Sequence, residues 1–154
     1  MIESLDYYSL CAPCSHNGNL IGHGSYTRTI KNEIIEILLS VKRVKCKICE
    51  KTHALLPTVI VPYSQILLED QVRIVECYEA NSGYEEILDA NLCIETNNIR
   101  SVIRQYCKHW RQRLLSHSIQ TSSIKQLITQ CFAAFNRQFM QIKTTNNVLF
   151  LRPT

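Results

Sequence analysis

From Thr96 to Thr154 the chain has no aspartate or glutamate, although nine lysines and arginines fall there. That absence denies the C-terminal third the carboxylate cluster that two-metal strand transfer needs. Long apolar runs are also missing. Ile34–Leu39, interrupted by Glu36, is strand-sized and far below the ~20 residues of a membrane-spanning helix. The N-terminus, Met1-Ile-Glu-Ser-Leu-Asp, is acidic where a secretory leader is basic, and no apolar segment follows, so the expected location is cytoplasmic. No His-x-His pair marks a single-strand nicking site, and 154 residues are too few for a tyrosine recombinase. No low-complexity tract, long linker or internal repeat is visible. These gaps together argue against an enzyme, and nothing points to a small-molecule substrate.

What is present is uneven charge and paired cysteine. Residues 1–63 carry a net +2, residues 64–95 a net −7 and residues 96–154 a net +9. A polyanion would therefore meet the last third of the chain first. Eight cysteines in a chain read as cytoplasmic are not a disulfide framework. Four of them form Cys11-Ala-Pro-Cys14 and Cys46-Lys-Ile-Cys49. A Cys-x-x-Cys knuckle offers two soft ligands from one backbone turn, and two knuckles complete a tetrahedral zinc site. Redox pairs open a helix after a strand, a setting neither knuckle has. The expectation is one structural Zn²⁺ on Cys11, Cys14, Cys46 and Cys49, with His16, His23 and His53 as weaker substitutes. Four thiolates leave no open coordination position, so the metal would be structural. Cys77, Cys93, Cys107 and Cys131 read as small core residues.

The chain is read in three pieces: a zinc ribbon over 1–63, a helical unit over 64–116, and a C-terminal helix with a tail packing on it over 117–154. The fold class is α+β. Asn19–Ile30 and Glu33–Val44 read as a hairpin turned at Lys31-Asn32. Pro57 and Pro62 mark Leu55–Pro62 as a non-helical crossing. Ser64 is expected to cap a first helix with Glu69 and Asp70 near its start. Ser82 and Glu85 match a capping box for a second, short helix that Asn91 ends in the left-handed conformation, followed by a tight turn at Leu92–Ile94. Thr96 or Asn97 is expected to cap a third helix, whose apolar stripe includes Tyr106 and Trp110. A fourth helix is expected over 118–143. Its Phe132, Phe135, Phe139 and Met140 either pack on the helical unit or form a seam between two copies. The carboxylates of 64–95 are expected on short, solvent-facing helices.

A short capped helix, a tight turn and a long basic helix have the order of a helix-turn-helix. The third helix has an apolar back and a cationic front, in which Arg100, Arg104, Lys108 and Arg111 line one side. Base edges are read from the first turns of such a helix, which makes Asn97, Asn98, Arg100, Ser101, Arg104 and Gln105 the base-reading candidates. Lys108, Arg111 and Arg113 suit phosphate, as do Arg28, Lys42, Arg43 and Lys45 in the first piece. The competing reading is an ordinary solvated helix face.

The knuckles, Gly24-Ser25-Tyr26-Thr27-Arg28, Val44–Pro57 with its Lys51-Thr52-His53, and Val61-Pro62-Tyr63 together resemble an uncharacterised bacterial family of transposase-like zinc-ribbon plus helix-turn-helix proteins. The resemblance covers about residues 8–116 and implies a role with mobile elements. The expected function is sequence-specific binding of double-stranded DNA by a non-catalytic accessory or regulatory protein, associated with the bacterial nucleoid. A homodimer or a transposition or transcription partner is compatible with it. The alternative is a zinc-ribbon adaptor that binds protein and not DNA.

Overall fold

The computed structural model describes Cys14 and residues 19–32, 34–91, 93–143 and 148–151. It is α+β, a four-stranded sheet with helices following its first three strands. β1 (Leu20–Lys31) and β2 (Glu36–Cys46) form the expected hairpin. Its turn is an Asx turn, in which Asn32 Oδ1 accepts from the N–H groups of Ile34 (2.9 Å) and Ile35 (2.7 Å). The crossing segment Leu55–Pro62 begins as strand. β3 (Thr52–Pro57) pairs antiparallel with β2, Val44 opposite His53. β4 (Val148–Leu151) pairs parallel with β3, from Ala54–Val148 to Pro57–Leu151. The sheet order is β1-β2-β3-β4. The tail thus packs in the sheet and not on the helices as expected, because pairing satisfies backbone groups that the edge of β3 would otherwise leave open.

The chain divides into two compact units. The sheet unit comprises Met1–Arg28, Leu38–Thr58 and Thr145–Thr154. Among the described residues its core clusters Leu20, Val44, Cys46, Leu55 and Leu149, with Cys14, Cys49 and Leu151 packed against them. The helical unit comprises Thr29–Ile37 and Val59–Thr144. It includes the hairpin tip, where Lys31 N–H donates to Gln65 O (2.7 Å) and the Cys93 thiol to Ile34 O (2.7 Å).

The helices lie where apolar periodicity put them, but their ends differ. α1 (Leu68–Glu79) starts four residues after Ser64. The Ser64 hydroxyl accepts from Ile66 N–H (3.1 Å) and Gln71 Nε2 (3.0 Å), and Ile66 and Leu67 are held in isolated β-bridges, so no cap is available there. α2 (Tyr84–Asp89) is capped by Gly83 without a side chain, so the Ser82–Glu85 box does not form. Asn91 is not left-handed. It is buried, donates to Ile87 O (2.7 Å) and accepts from Arg73 (3.0 Å). Arg73 also pairs with Asp70, which is buried and not solvent-facing as expected. α3 (Thr96–Gln105) is preceded by Glu95, and neither Thr96 nor Asn97 caps it. A π-helical turn (Tyr106–Trp110) carries it into α4 (Arg111–Ser116). The fourth expected helix shortens to α5 (Ile124–Phe135), capped by Ser123 and stopped by Asn136 at φ 51°.

The loop after α5 returns Phe139 and Met140 to the core of the helical unit, so they are not available as a seam between copies. Trp110 is fully buried, with the rings of Phe135 (5.7 Å) and Phe139 (5.3 Å) edge-on to it. Tyr106 is buried beside Phe139 at 6.4 Å. No helix among the described residues is long and apolar enough to cross a membrane.

Two buried acids give this core a pH dependence. Burial pushes the Cys131 thiol from 9.0 up to about 12. Burial, then the neighbouring Glu79 carboxylate, pushes the Tyr106 hydroxyl from 10.0 up to about 12. Both values are raised on folding, so the folded state keeps protons that the unfolded chain loses. Their contribution is complete below about pH 9 and falls as pH rises towards about 12. The urea midpoint, followed through the fluorescence of the sole tryptophan, Trp110, is therefore expected to be lower at about pH 10.5 than at about pH 8.5. An unmoved midpoint would contradict the burial argument.

Candidate metal centre and basic helix face

β2 ends at Cys46, and the chain turns through Lys47–Cys49 to re-enter the sheet as β3. The turn is closed by Cys46 N–H to Lys51 O (2.9 Å) and tied to the start of β1 by Lys47 N–H to Asn19 O (2.9 Å). Glu50, just after the knuckle, is held at φ 59°, a conformation that favours glycine. The Sγ atoms of Cys14, Cys46 and Cys49 all lie within 4.8 Å of one another. Tetrahedral zinc–thiolate bonds of about 2.3 Å place sulfurs about 3.8 Å apart, so the cluster has the size of a metal site. The donors are three soft thiols without a carboxylate, which suits zinc rather than calcium or magnesium. The Cys49 N–H, then the Ile48 N–H and the side chains of Cys49 and Cys14, draw the Cys46 thiol from 9.0 down to about 6. These groups stabilise a thiolate, the form in which cysteine binds a metal. The expected fourth ligand, Cys11, and the alternative His16 lie outside the described residues. His53 is buried in β3 and His23 exposed on β1, and neither joins the cluster.

The basic face divides into open and engaged groups. Asn97, Arg100, Arg104 and Lys108 are exposed, with the Arg100 guanidinium 5.4 Å from the Tyr84 ring centroid. Asn98, Ser101 and Gln105 are half-buried. Arg111 is exposed but paired with Glu79 (Nε–Oε1, 2.9 Å), and Arg113 is half-buried with its guanidinium 5.6 Å from the Trp110 ring centroid. The expected four-residue cationic stripe is therefore three open residues and one ion pair, because α1 brings its C-terminal carboxylate, Glu79, to the start of α4. In the sheet unit Lys42, Arg43 and Lys45 are half-buried, with Lys45 3.6 Å from Glu50. Arg28 is half-buried, and burial pulls its guanidinium below the ordinary range.

Sequence reasoning did not find a cavity of about 780 Å³ in the helical unit. Its walls come from residues 61–66, Gln71, one side of α3 and residues 140–143. No local pattern joins segments so distant in the chain.

The model of a family described as a domain of unknown function (DUF6431) matches residues 11–89, just over half of the chain. No curated protein and no solved structure matches.

Proposed function

The chain belongs to the DUF6431 family, and we propose that it binds double-stranded DNA through α3, as a non-catalytic protein of the transposase-like zinc-ribbon kind. In this reading Zn²⁺ is held by Cys14, Cys46 and Cys49 with Cys11 as the fourth ligand, and it folds the sheet unit. α2, the turn and α3 act as the helix-turn-helix. Arg100, Arg104 and Asn97 face the groove, and Lys108 lies over phosphate. Arg28, Lys42, Arg43 and Lys45 add phosphate contacts from the sheet unit. The protein works at the nucleoid as an accessory or regulator of mobile elements, a role that rests on the sequence resemblance.

One observation carries the reading: three open cations on one side of a helix, in a stretch of chain with no carboxylate. A polyanion approaching such a face meets no repelling carboxylate from that segment. The test is binding of zinc-loaded protein to fragmented bacterial DNA across a salt series, with sequencing of the retained fragments. Discrete sites should be enriched, and log affinity should fall with log salt by about 0.9 for each phosphate contact. Reversing Lys42, Arg43 and Lys45 to glutamate should weaken binding and flatten that slope. Retention of nothing near physiological salt would end the proposal.

One observation favours the adaptor reading instead. Ile34, Ile35, Ile37 and Leu38 are 69%, 52%, 42% and 76% exposed around the hairpin tip. A row of exposed β-branched and aliphatic groups suits a protein partner better than a phosphate backbone.

A further inference from the structure

The cavity has a chemistry of its own. Most of its polar groups are neutral, Gln71, Asn98, Ser101, Gln105 and Gln141 among them. Among the described residues no carboxylate lines it, and Lys143 is the one charged group that does. Val61, Ile66 and Val102 supply apolar wall.

The amides are held in place. Gln71, 2% exposed, donates through Nε2 to Ser64 Oγ (3.0 Å) and Ile66 O (2.9 Å), which leaves its carbonyl oxygen as an acceptor. Gln141, 4% exposed, accepts from Gln138 N–H (3.2 Å) and donates to Lys143 O (3.0 Å), keeping one N–H and one lone pair. Gln105 Nε2 donates to Ser101 Oγ (3.2 Å). Fixed amides with both donors and acceptors match the edge of a flat heterocycle, which also presents both. They do not suit a free cation or a hydrocarbon chain.

The rim adds an aromatic plane. Tyr63 lines the cavity, is 76% exposed, and is held at φ 63° in the left-handed region. A tyrosine in that conformation carries a backbone cost that binding sites tolerate more often than loops do. Asn98, Ser101 and Gln105 reach the cavity from α3, the helix that also carries Arg100 and Arg104.

We propose that this cavity takes one unstacked nucleobase of a bound nucleic acid. The base edge meets Gln71, Asn98 and Gln141, the ring stacks on Tyr63, and an adjoining phosphate lies near Lys143. No carboxylate among the described lining residues opposes the phosphate. The inference rests on the DNA-binding reading. The base comes either from a single strand or from a duplex that extrudes it.

The test is a double-mutant cycle with zinc-loaded full chain. A single abasic position is moved along a single-stranded oligonucleotide and along a duplex, against wild type and Tyr63→Ala, with Tyr63→Trp as rescue. Tyr63 is exposed, so the alanine variant should fold, and Trp110 emission checks that it does. Tyr63→Ala should weaken binding about 5- to 150-fold, the range of one lost base–aromatic stack. Removing one base should cost wild type a similar factor and cost Tyr63→Ala nothing further. Coupling only in the single strand identifies that source. Coupling in the duplex, with tighter binding when the target base is mismatched, identifies extrusion. Salt-dependent duplex binding with no position coupled to Tyr63 would overturn the cavity proposal and leave the DNA reading standing. No binding to either form would end both.

Discussion

Cys46→Ser is expected to lose the metal and unfold the sheet unit. Among the described residues Cys46 is fully buried in the apolar cluster of the sheet, with Leu20, Val44, Leu55 and Leu149. Small domains commonly lean on a metal or a disulfide in addition to apolar burial. None of the described cysteines forms a disulfide, and the cluster of Cys14, Cys46 and Cys49 could hold a metal ion in its place. Apparent binding free energies for structural zinc in small domains are about 10–16 kcal/mol, and that energy is folding energy. Serine keeps the shape but supplies a hard hydroxyl in place of a thiolate. Wild type should carry one zinc per chain by elemental analysis, and Cys46→Ser none. Backbone amide signals of β1–β4 should collapse, while Trp110 emission reports a helical unit that retains its own core. Cys11→Ser should do the same if that residue is the fourth ligand. Cys107→Ser, at an exposed position, should change neither. A Cys46→Ser protein with undiminished zinc would remove the metal assignment.

The clustering of Cys14 with Cys46 and Cys49 was legible because ligand spacing is local chemistry that survives any packing. Helix interiors were legible for a similar reason: Ile99, Val102, Tyr106 and Trp110 repeat at the helical period and are all buried. Helix ends were not. Ser64, Ser82, Thr96 and Asn97 each have capping chemistry, yet none caps. Ser64 is committed to Gln71 and Ile66, and the other two starts fall at Gly83 and Glu95, where tertiary packing and not the nearest hydroxyl sets the entry point. α5 stops at Asn136 because that residue turns left-handed, and the apolar pattern runs on through Phe139 only because the loop folds the same face back inward.

Long-range pairing was out of reach. β4 is four residues long and pairs with a strand more than ninety positions earlier, so its partner leaves no periodic trace. Burial of Asp70 was hidden as well. A carboxylate in a first helical turn reads as exposed, and the Arg73 guanidinium, itself anchored on Asn91, pairs with it in the buried position. The same limit applies to the basic face. Nine cations without a carboxylate were visible in the C-terminal third, but Glu79, which neutralises Arg111, lies in the acidic segment before it.

That neutralisation sharpens the second large prediction. Arg100→Ala/Arg104→Ala should abolish site-specific DNA binding while the helix persists. Both side chains are exposed, and alanine is the best helix former, so folding should be preserved. Arg100 is presteered by the Tyr84 ring, which fixes its guanidinium at little entropic cost on binding. A bidentate arginine–guanine contact is worth about 1–3 kcal/mol. Losing two should therefore weaken an enriched site by roughly 30- to 10⁴-fold, with much less loss on random duplex. If both arginines touch only phosphate, the loss should be equal on every sequence and the salt slope should flatten by about 0.9 for each. Arg111→Ala is the internal comparison. Its guanidinium is already held by Glu79, so its removal should cost DNA affinity less than the double change. Unaltered binding in the double variant would mean that α3 is a solvated face, and the exposed isoleucines of the hairpin tip would then be the surface to pursue with protein partners.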